Sequence, residues 1–280
     1  MAAQALRGPI TRRGGAVTIT RIRHRGLEVL STDATRDPAL PALPPLLFVH
    51  GLAHEAGCWS AWMDAAAAEG RTAWSVSLRG HGGSEGAVRT ARLSQYVADV
   101  RAAMALLPAR PVLVGHSMGG LVCQQVAARE QVAGLVLVAS VGHRPALGSL
   151  ASIARQHPLD ALRVLVGSTL PLRHEYLFEG LPRAEADRLV ARCGPESPLV
   201  QHQLVFHRPP GLPLGGAPVL ALAARADRLV PVAAVRRTAA RYDAELQVFD
   251  GIGHNLMQDA GQEVPWQALS DWLQRAHLRA

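Results

Sequence analysis

Residues 111–120 read Pro-Val-Leu-Val-Gly-His-Ser-Met-Gly-Gly (PVLVGHSMGG), and the order of residue types here decides the fold. Pro111 to Gly115 is an apolar β-type run, and Met118 to Glu130 has the pattern of a crossover helix. A serine between them, with glycines two before and two after it, marks a sharp strand-to-helix turn. The glycines let backbones approach closely, so the Ser117 hydroxyl projects from the end of a sheet. The Met118 amide then lies at a helix N-terminus, facing developing negative charge. Glycine and serine are common residues; the strand before and the helix after give the motif its meaning.

Working outward, the same rhythm of strand and helix recurs. Leu46 to Val49 (LLFV) is a short apolar run that ends abruptly at His50-Gly51, which predicts a buried strand. Cys58 to Glu69 reads as an Ala-rich helix and Ala73 to Leu78 as the next strand. Leu93 to Leu107 has apolar residues at helical spacing and stops at Pro108, which cannot continue a helix. Gly134 to Ala139 (GLVLVA) is a further strand. From about 142 to 212 the rhythm breaks into short helical pieces and prolines. It resumes with Ala217 to Ala223, a helix over Val232 to Arg241, a strand over Glu245 to Phe249 and a closing helix from about Val264 to Leu278. Ala16 to Val29 supplies two antiparallel edge strands. Fully apolar strands separated by helices predict an α/β fold whose parallel sheet is covered on both faces. The expected organisation is a core over 1–141 and 213–280 with a cap inserted at 142–212.

A serine at neutral pH needs an adjacent base, and twelve histidines compete for that role. His254 stands out in Gly251-Ile252-Gly253-His254, just past the last predicted strand, where a loop can place it over the sheet's C-terminal edge. His116 adjoins the serine, but the elbow points it away from the hydroxyl. His143, His157, His174, His202 and His207 fall in the cap and are read as partly exposed polar side chains. The base needs a carboxylate to fix its tautomer. Asp227, in Arg225-Ala226-Asp227-Arg228, follows a predicted strand and is the candidate; Asp250, four residues before His254, is the runner-up. The strand before the cap ends at Ala139-Ser140 without a carboxylate. A second oxyanion donor is expected from the Leu52 amide in His50-Gly51-Leu52, opposite that of Met118, with His50 structural. Arg79 to Ser84 reads as scaffold and pocket rim.

Together these segments resemble the α/β-hydrolase superfamily, in its esterase, lipase and haloperoxidase-like branch. The resemblance rests on HGLAHEAGCW (50–59), LRGHGGS (78–84), GHSMGG (115–120), RADRLVP (225–231) and GIGHNLM (251–257), in the family order of Ser, then Asp, then His. It implies a mostly parallel eight-stranded sheet with helices on both faces, a helical cap after the sixth strand, and no cofactor. Carried over by position, it implies the triad Ser117, Asp227 and His254 with oxyanion amides from Leu52 and Met118. Epoxide hydrolases and dehalogenases of this fold use an aspartate where this chain has Ser117, which disfavours those reactions. Asn255 stands where many relatives that cleave C–C bonds have an aromatic residue. The activity implied is hydrolysis of carboxylic esters of small to medium apolar substrates through an acyl-enzyme. A lactonase, thioesterase, C–C hydrolase or perhydrolase would use the same machinery, and a non-catalytic binding protein is the alternative of another class. Aliphatic cap residues Leu159, Leu162, Val164, Leu165, Leu177, Leu189, Leu199 and Val200 suggest an apolar acyl site, or simply pack on the core. Arg173, His174 and Glu175 are candidates to meet a polar group.

Composition narrows the classes further. The 280 residues are 49% hydrophobic and 18% charged, a globular balance. No apolar run approaches the roughly 20 residues of a membrane span, so stable membrane insertion is not expected. The net charge of +7 comes from arginines alone, since lysine is absent, and they are scattered rather than clustered. That argues for compositional bias over phosphate binding, and no nucleic-acid partner is expected. Arg12-Arg13 invites a twin-arginine reading, but Thr18 to Arg25 is polar and basic where such a signal needs an apolar stretch, so a cytoplasmic location is expected. Cys58, Cys123 and Cys193 lie far apart without metal-ligand spacing, so no metal is expected. The oligomeric state is not legible.

Overall fold

Eight strands form one sheet in the order β1-β2-β4-β3-β5-β6-β7-β8. They are β1 (Ile19–His24), β2 (Leu27–Thr32), β3 (Leu46–Val49), β4 (Ala73–Ser77), β5 (Val112–His116), β6 (Gly134–Val138), β7 (Val219–Ala224) and β8 (Glu245–Phe249). The computed structural model describes residues 18–33, 43–276 and 278. The Arg12-Arg13 pair, and Ala16 and Val17 of the predicted edge strands, lie outside the described residues. From β4 to β8 every neighbouring pair is parallel, while β1 with β2 and β2 with β4 are antiparallel. Of the two strands expected at the edge, only β1 is one. β2 has β4 on its other side, and all six of its residues are buried.

The apolar runs are explained by coverage on both faces. In β3, Leu46 and Phe48 pack on one side with Trp59, Trp62, Trp266 and Trp272, from the α1 (Ser60–Ala68) and α10 (Glu263–Arg275) side. Leu47 and Val49 pack on the other with α2 (Leu93–Met104), α3 (Met118–Ala127) and α9 (Val232–Tyr242). Side chains alternate along a strand, so a sheet buried twice needs apolar residues at every position. Glu69 ties the first layer together, accepting from Trp266 Nε1 at 2.9 Å and Ser270 Oγ at 2.6 Å.

Between β6 and β7 the chain makes five α-helices, α4 (Leu147–Gln156), α5 (Pro158–Leu165), α6 (His174–Leu177), α7 (Arg183–Val190) and α8 (Pro198–Phe206), and a short 3-10 turn at Leu214–Gly216. The start of α8 is locally encoded: the Ser197 hydroxyl accepts from the Val200 N–H at 3.2 Å, and Pro198 fits the first helical turn. The order in which successive strands are added reverses at β3, which has β4 on one side and β5 on the other, both parallel to it. In an open α/β sheet, a crevice forms beyond the strand ends at such a switch point. The loop after β3 and the Ser117 turn after β5 both open there.

Candidate active site

Ser117 sits between β5 and α3 at φ 50° and ψ −117°, a backbone region that costs a non-glycine residue on the order of 1–3 kcal/mol. The turn is fixed from β6: the Ser117 N–H donates to the Val138 carbonyl and the Val141 N–H to the Ser117 carbonyl, both at 3.0 Å. The glycines are required by approach of neighbouring backbone. A Cβ on Gly119 would lie 2.4 Å from the His50 carbonyl oxygen, and one on Gly115 would lie 2.6 Å from that of Gly119.

His254 follows β8 and is buried with Asp227, which follows β7; their side chains are 2% and 1% exposed. Nδ1 of His254 lies 2.8 Å from Asp227 Oδ2, so the Nδ1–H donates to the carboxylate and Nε2 carries the free lone pair. The other carboxylate oxygen, Oδ1, accepts the Leu229 and Val230 N–H groups at 2.8 Å each, an Asx turn that sets the carboxylate plane. Asp250, the runner-up, is 74% exposed and paired with Arg225 on the surface.

His254 also leans on the serine turn. His116 Nε2–H donates to the His254 carbonyl at 3.0 Å, and the two rings lie 4.7 Å apart. Burial, then the nearby His254, holds the His116 imidazole well below its ordinary value, so it stays neutral. No hydrogen bond joins Ser117 Oγ to His254 Nε2 in this arrangement. Ser117, Leu52, Leu229 and Val230 share one cavity of about 70 Å³, whose remaining wall comes mainly from apolar side chains such as Leu150, Ile153, Val164, Leu204 and Val205. The amides of Leu52 and Met118 have no acceptor among the described residues. A larger depression of about 520 Å³ lies on the outer side of α2 between Arg25, Arg101 and Glu130, away from these residues.

The side chains of the segment between β6 and β7 sort differently from the sequence expectation. Of the eight aliphatic candidates only Val164 lines the cavity. Leu159, Leu162, Leu165 and Leu199 are exposed, while Leu177 and Val200 are core. The reason is the helical period of α5: Leu159, Leu162 and Leu165 share its outer face, and Ala161 and Val164 its inner one. Arg173 is paired with Asp160, His174 with Glu175 and with Asp187 of α7, and Glu175 also with His157. His143 and His207 are buried and hydrogen-bonded rather than partly exposed. The Arg79–Ser84 turn is tied to Asp99, Glu28 and Ser77, and none of its residues lines the cavity.

Two groups had no legible signal in the sequence. Asp259, 1% exposed, accepts the N–H groups of Glu179, Gly180, Leu181, Gly253 and Ala260, so it clamps the His254 loop to the inserted helices. His54 donates from Nδ1 to the Leu52 carbonyl at 2.7 Å and lies 2.9 Å from Asn255 Nδ2 through Nε2. Burial first, and nearby His254 and His81, push the His54 imidazole down to about 4, although the Leu52 bond opposes it. Among the described residues no cluster of three or more side chains is arranged to hold a metal ion, and no helix is long and apolar enough to cross a membrane.

A family model described as the alpha/beta hydrolase family matches residues 46–265. No curated protein matches the sequence. Among solved structures, the chain is similar to an esterase from Thermogutta terrifontis with malate bound, at 21% identity, 98% and 100% coverage of this chain and that one, and TM-score 0.67. It is similar to an esterase from Exiguobacterium antarcticum at 15% identity, 91% and 96% coverage and TM-score 0.68. A soluble variant of monoglyceride lipase from Saccharomyces cerevisiae, in complex with a substrate analogue, gives 12% identity, 97% and 99% coverage and TM-score 0.72. At such identities the likeness is one of fold.

Proposed function

The chain belongs to the alpha/beta hydrolase family, and from that premise we propose that it is a serine hydrolase cleaving carboxylic esters of small to medium apolar substrates. The observation that carries the reading is the buried Asp227–His254 pair, with Nε2 left basic, set against a strained serine turn that opens on an apolar cavity. Ser117 Oγ attacks the ester carbonyl while His254 Nε2 takes its proton. Asp227 holds the tautomer beforehand and stabilises the imidazolium afterwards. The Leu52 and Met118 amides receive the oxyanion. Collapse expels the alcohol, protonated by His254, and leaves an acyl-Ser117. Water, deprotonated by His254, attacks this acyl group through a second oxyanion, whose collapse releases the acid as His254 returns the proton to Ser117 Oγ.

The test is hydrolysis of p-nitrophenyl esters from acetate to palmitate by wild type and Ser117→Ala, with lactones and acyl thioesters alongside. Loss of the nucleophile from a working triad costs on the order of 10⁴ to 10⁶ in turnover, and that loss is expected here with an optimum at short to medium chains. Near wild-type turnover by Ser117→Ala on every substrate the wild type cleaves would sink the reading.

A further inference from the structure

The loop after β3 is gripped peptide by peptide. The Gly51 carbonyl accepts from the His54 N–H at 3.3 Å and from His50 Nδ1–H at 2.8 Å. A trans peptide is planar with its C=O and N–H on opposite sides, so these two donors aim the Leu52 N–H the other way. The next peptide is held at both ends: the Leu52 carbonyl by His54, and the Ala53 N–H by Glu196 Oε2 at 3.0 Å. The Ala53 carbonyl then accepts the Gly194 N–H at 2.8 Å. Ala53 has φ 60°, a left-handed conformation that costs an L-residue about 1–2 kcal/mol and persists only where surroundings impose it.

Glu196 lies between α7 and α8, 143 positions from Ala53, and is 8% exposed. Its Oε1 accepts the Tyr96 hydroxyl at 2.8 Å and the Ser197 N–H at 2.7 Å, while His81 Nε2 is 3.3 Å from Oε2. Burial opposes the charge, yet His81 and the Ser197 and Ala53 amides hold the carboxyl below its usual value. The adjoining Ser197 hydroxyl donates to the Ala91 carbonyl at 2.7 Å, so this segment is anchored to the core on its own account. The carboxylate is therefore fixed in place independently of its bond to Ala53.

We infer that Glu196 is a positioning residue for the reaction: a carboxylate from the inserted helices that holds the Leu52–Ala53 peptide and thereby aims the Leu52 amide at the oxyanion. The inference rests on the proposed role of Leu52. It makes the oxyanion site a joint product of the core and the segment preceding α8.

Glu196→Gln tests it. A carboxamide has one acceptor oxygen where the carboxylate uses two, so either the Ala53 or the Ser197 N–H must face an NH₂ group. The expected result on p-nitrophenyl butyrate is a kcat lower by roughly 10- to 100-fold, short of the ~10²- to 10³-fold cost of removing an oxyanion donor. KM should stay within about twofold, and Ki for phenylboronic acid, which forms a tetrahedral adduct on serine, should rise in step with the kcat loss. Asp160→Asn is the control: it loosens the buried contacts of Asp160 with Arg173 and Tyr176 in the same helices and should lower Tm without this split. If Glu196→Gln does not fold, Glu196→Asp keeps the charge but falls short of Ala53, and several-fold of the same split is expected. A folded variant with wild-type kcat and Ki, or one whose losses merely follow Tm as in Asp160→Asn, overturns the inference while Ser117-dependent turnover stands. If turnover proves independent of Ser117, the proposed function fails and this inference falls with it.

Discussion

Asp227→Asn isolates the tautomer argument. In the wild type Oδ1 accepts two backbone N–H groups and Oδ2 accepts His254 Nδ1–H. An asparagine can satisfy one side only. With its oxygen left on the Leu229 and Val230 amides, its NH₂ faces His254, which must move its proton to Nε2 and, under the proposed mechanism, ceases to be a base toward Ser117. Rotating the amide restores the tautomer but leaves two buried backbone donors against an NH₂, at about 1–3 kcal/mol each. Loss of the carboxylate opposite the imidazolium adds about 1.5–3 kcal/mol. The sum, roughly 4–9 kcal/mol, corresponds to about 10³ to nearly 10⁷ in rate, and we expect about 10⁴. The assay is kcat on p-nitrophenyl butyrate together with the rate of fluorophosphonate labelling of Ser117, with Tm as a control. Both rates should fall together. A folded variant less than about 30-fold slower would refute the reasoning, because a free choice of tautomer costs no more than that.

Three further outcomes follow from the same geometry. Asp259→Ala leaves five backbone N–H groups without their acceptor and should cost roughly 3 kcal/mol or more, or about 5–10 °C in a thermal melt of a chain this size; an unchanged Tm would show that water replaces the carboxylate. Gly119→Ala drives a Cβ into the His50 and Val49 carbonyl oxygens, at 2.4 and 2.5 Å, and should reduce stability by roughly 3 kcal/mol or abolish soluble expression; a stable, active variant would contradict the close approach. The pH dependence of stability has a definite sign. Burial first of all depresses His50, His54 and His116 below 6.5, so between about pH 4 and 6.5 the unfolded chain binds more protons than the folded one. Stability is complete above 6.5 and falls on acidification by about 1.4 kcal/mol per pH unit for each histidine held neutral. His81 works the other way. Burial lowers it, but Glu196 raises it further, and its contribution is present below 6.5 and lost as pH rises through its raised folded value. Denaturant titrations at pH 7, 6 and 5 check this, and a flat profile would contradict neutral burial of the three.

The sequence by itself determined the sheet and the places where chemistry-bearing residues leave it. Runs such as LLFV and GLVLVA are apolar at every position because both faces of the sheet are covered, and that constraint is written locally. The strand ends followed at once by Ser117, and by the loops holding Leu52, Asp227 and His254, were legible for the same reason. Only the tertiary structure shows which carboxylate lies against His254. Asp250 is nearer to His254 in sequence, but just past β8 it is exposed and paired with Arg225, whereas Asp227, just past β7, is buried against His254. The cavity wall also came from packing, since an apolar helix residue lines it or faces solvent according to which side of α5 meets the core. Asp259 and Glu196 were invisible for a further reason. A carboxylate that accepts backbone N–H groups from segments far along the chain leaves no period or motif, because any residue type can present the amide it binds.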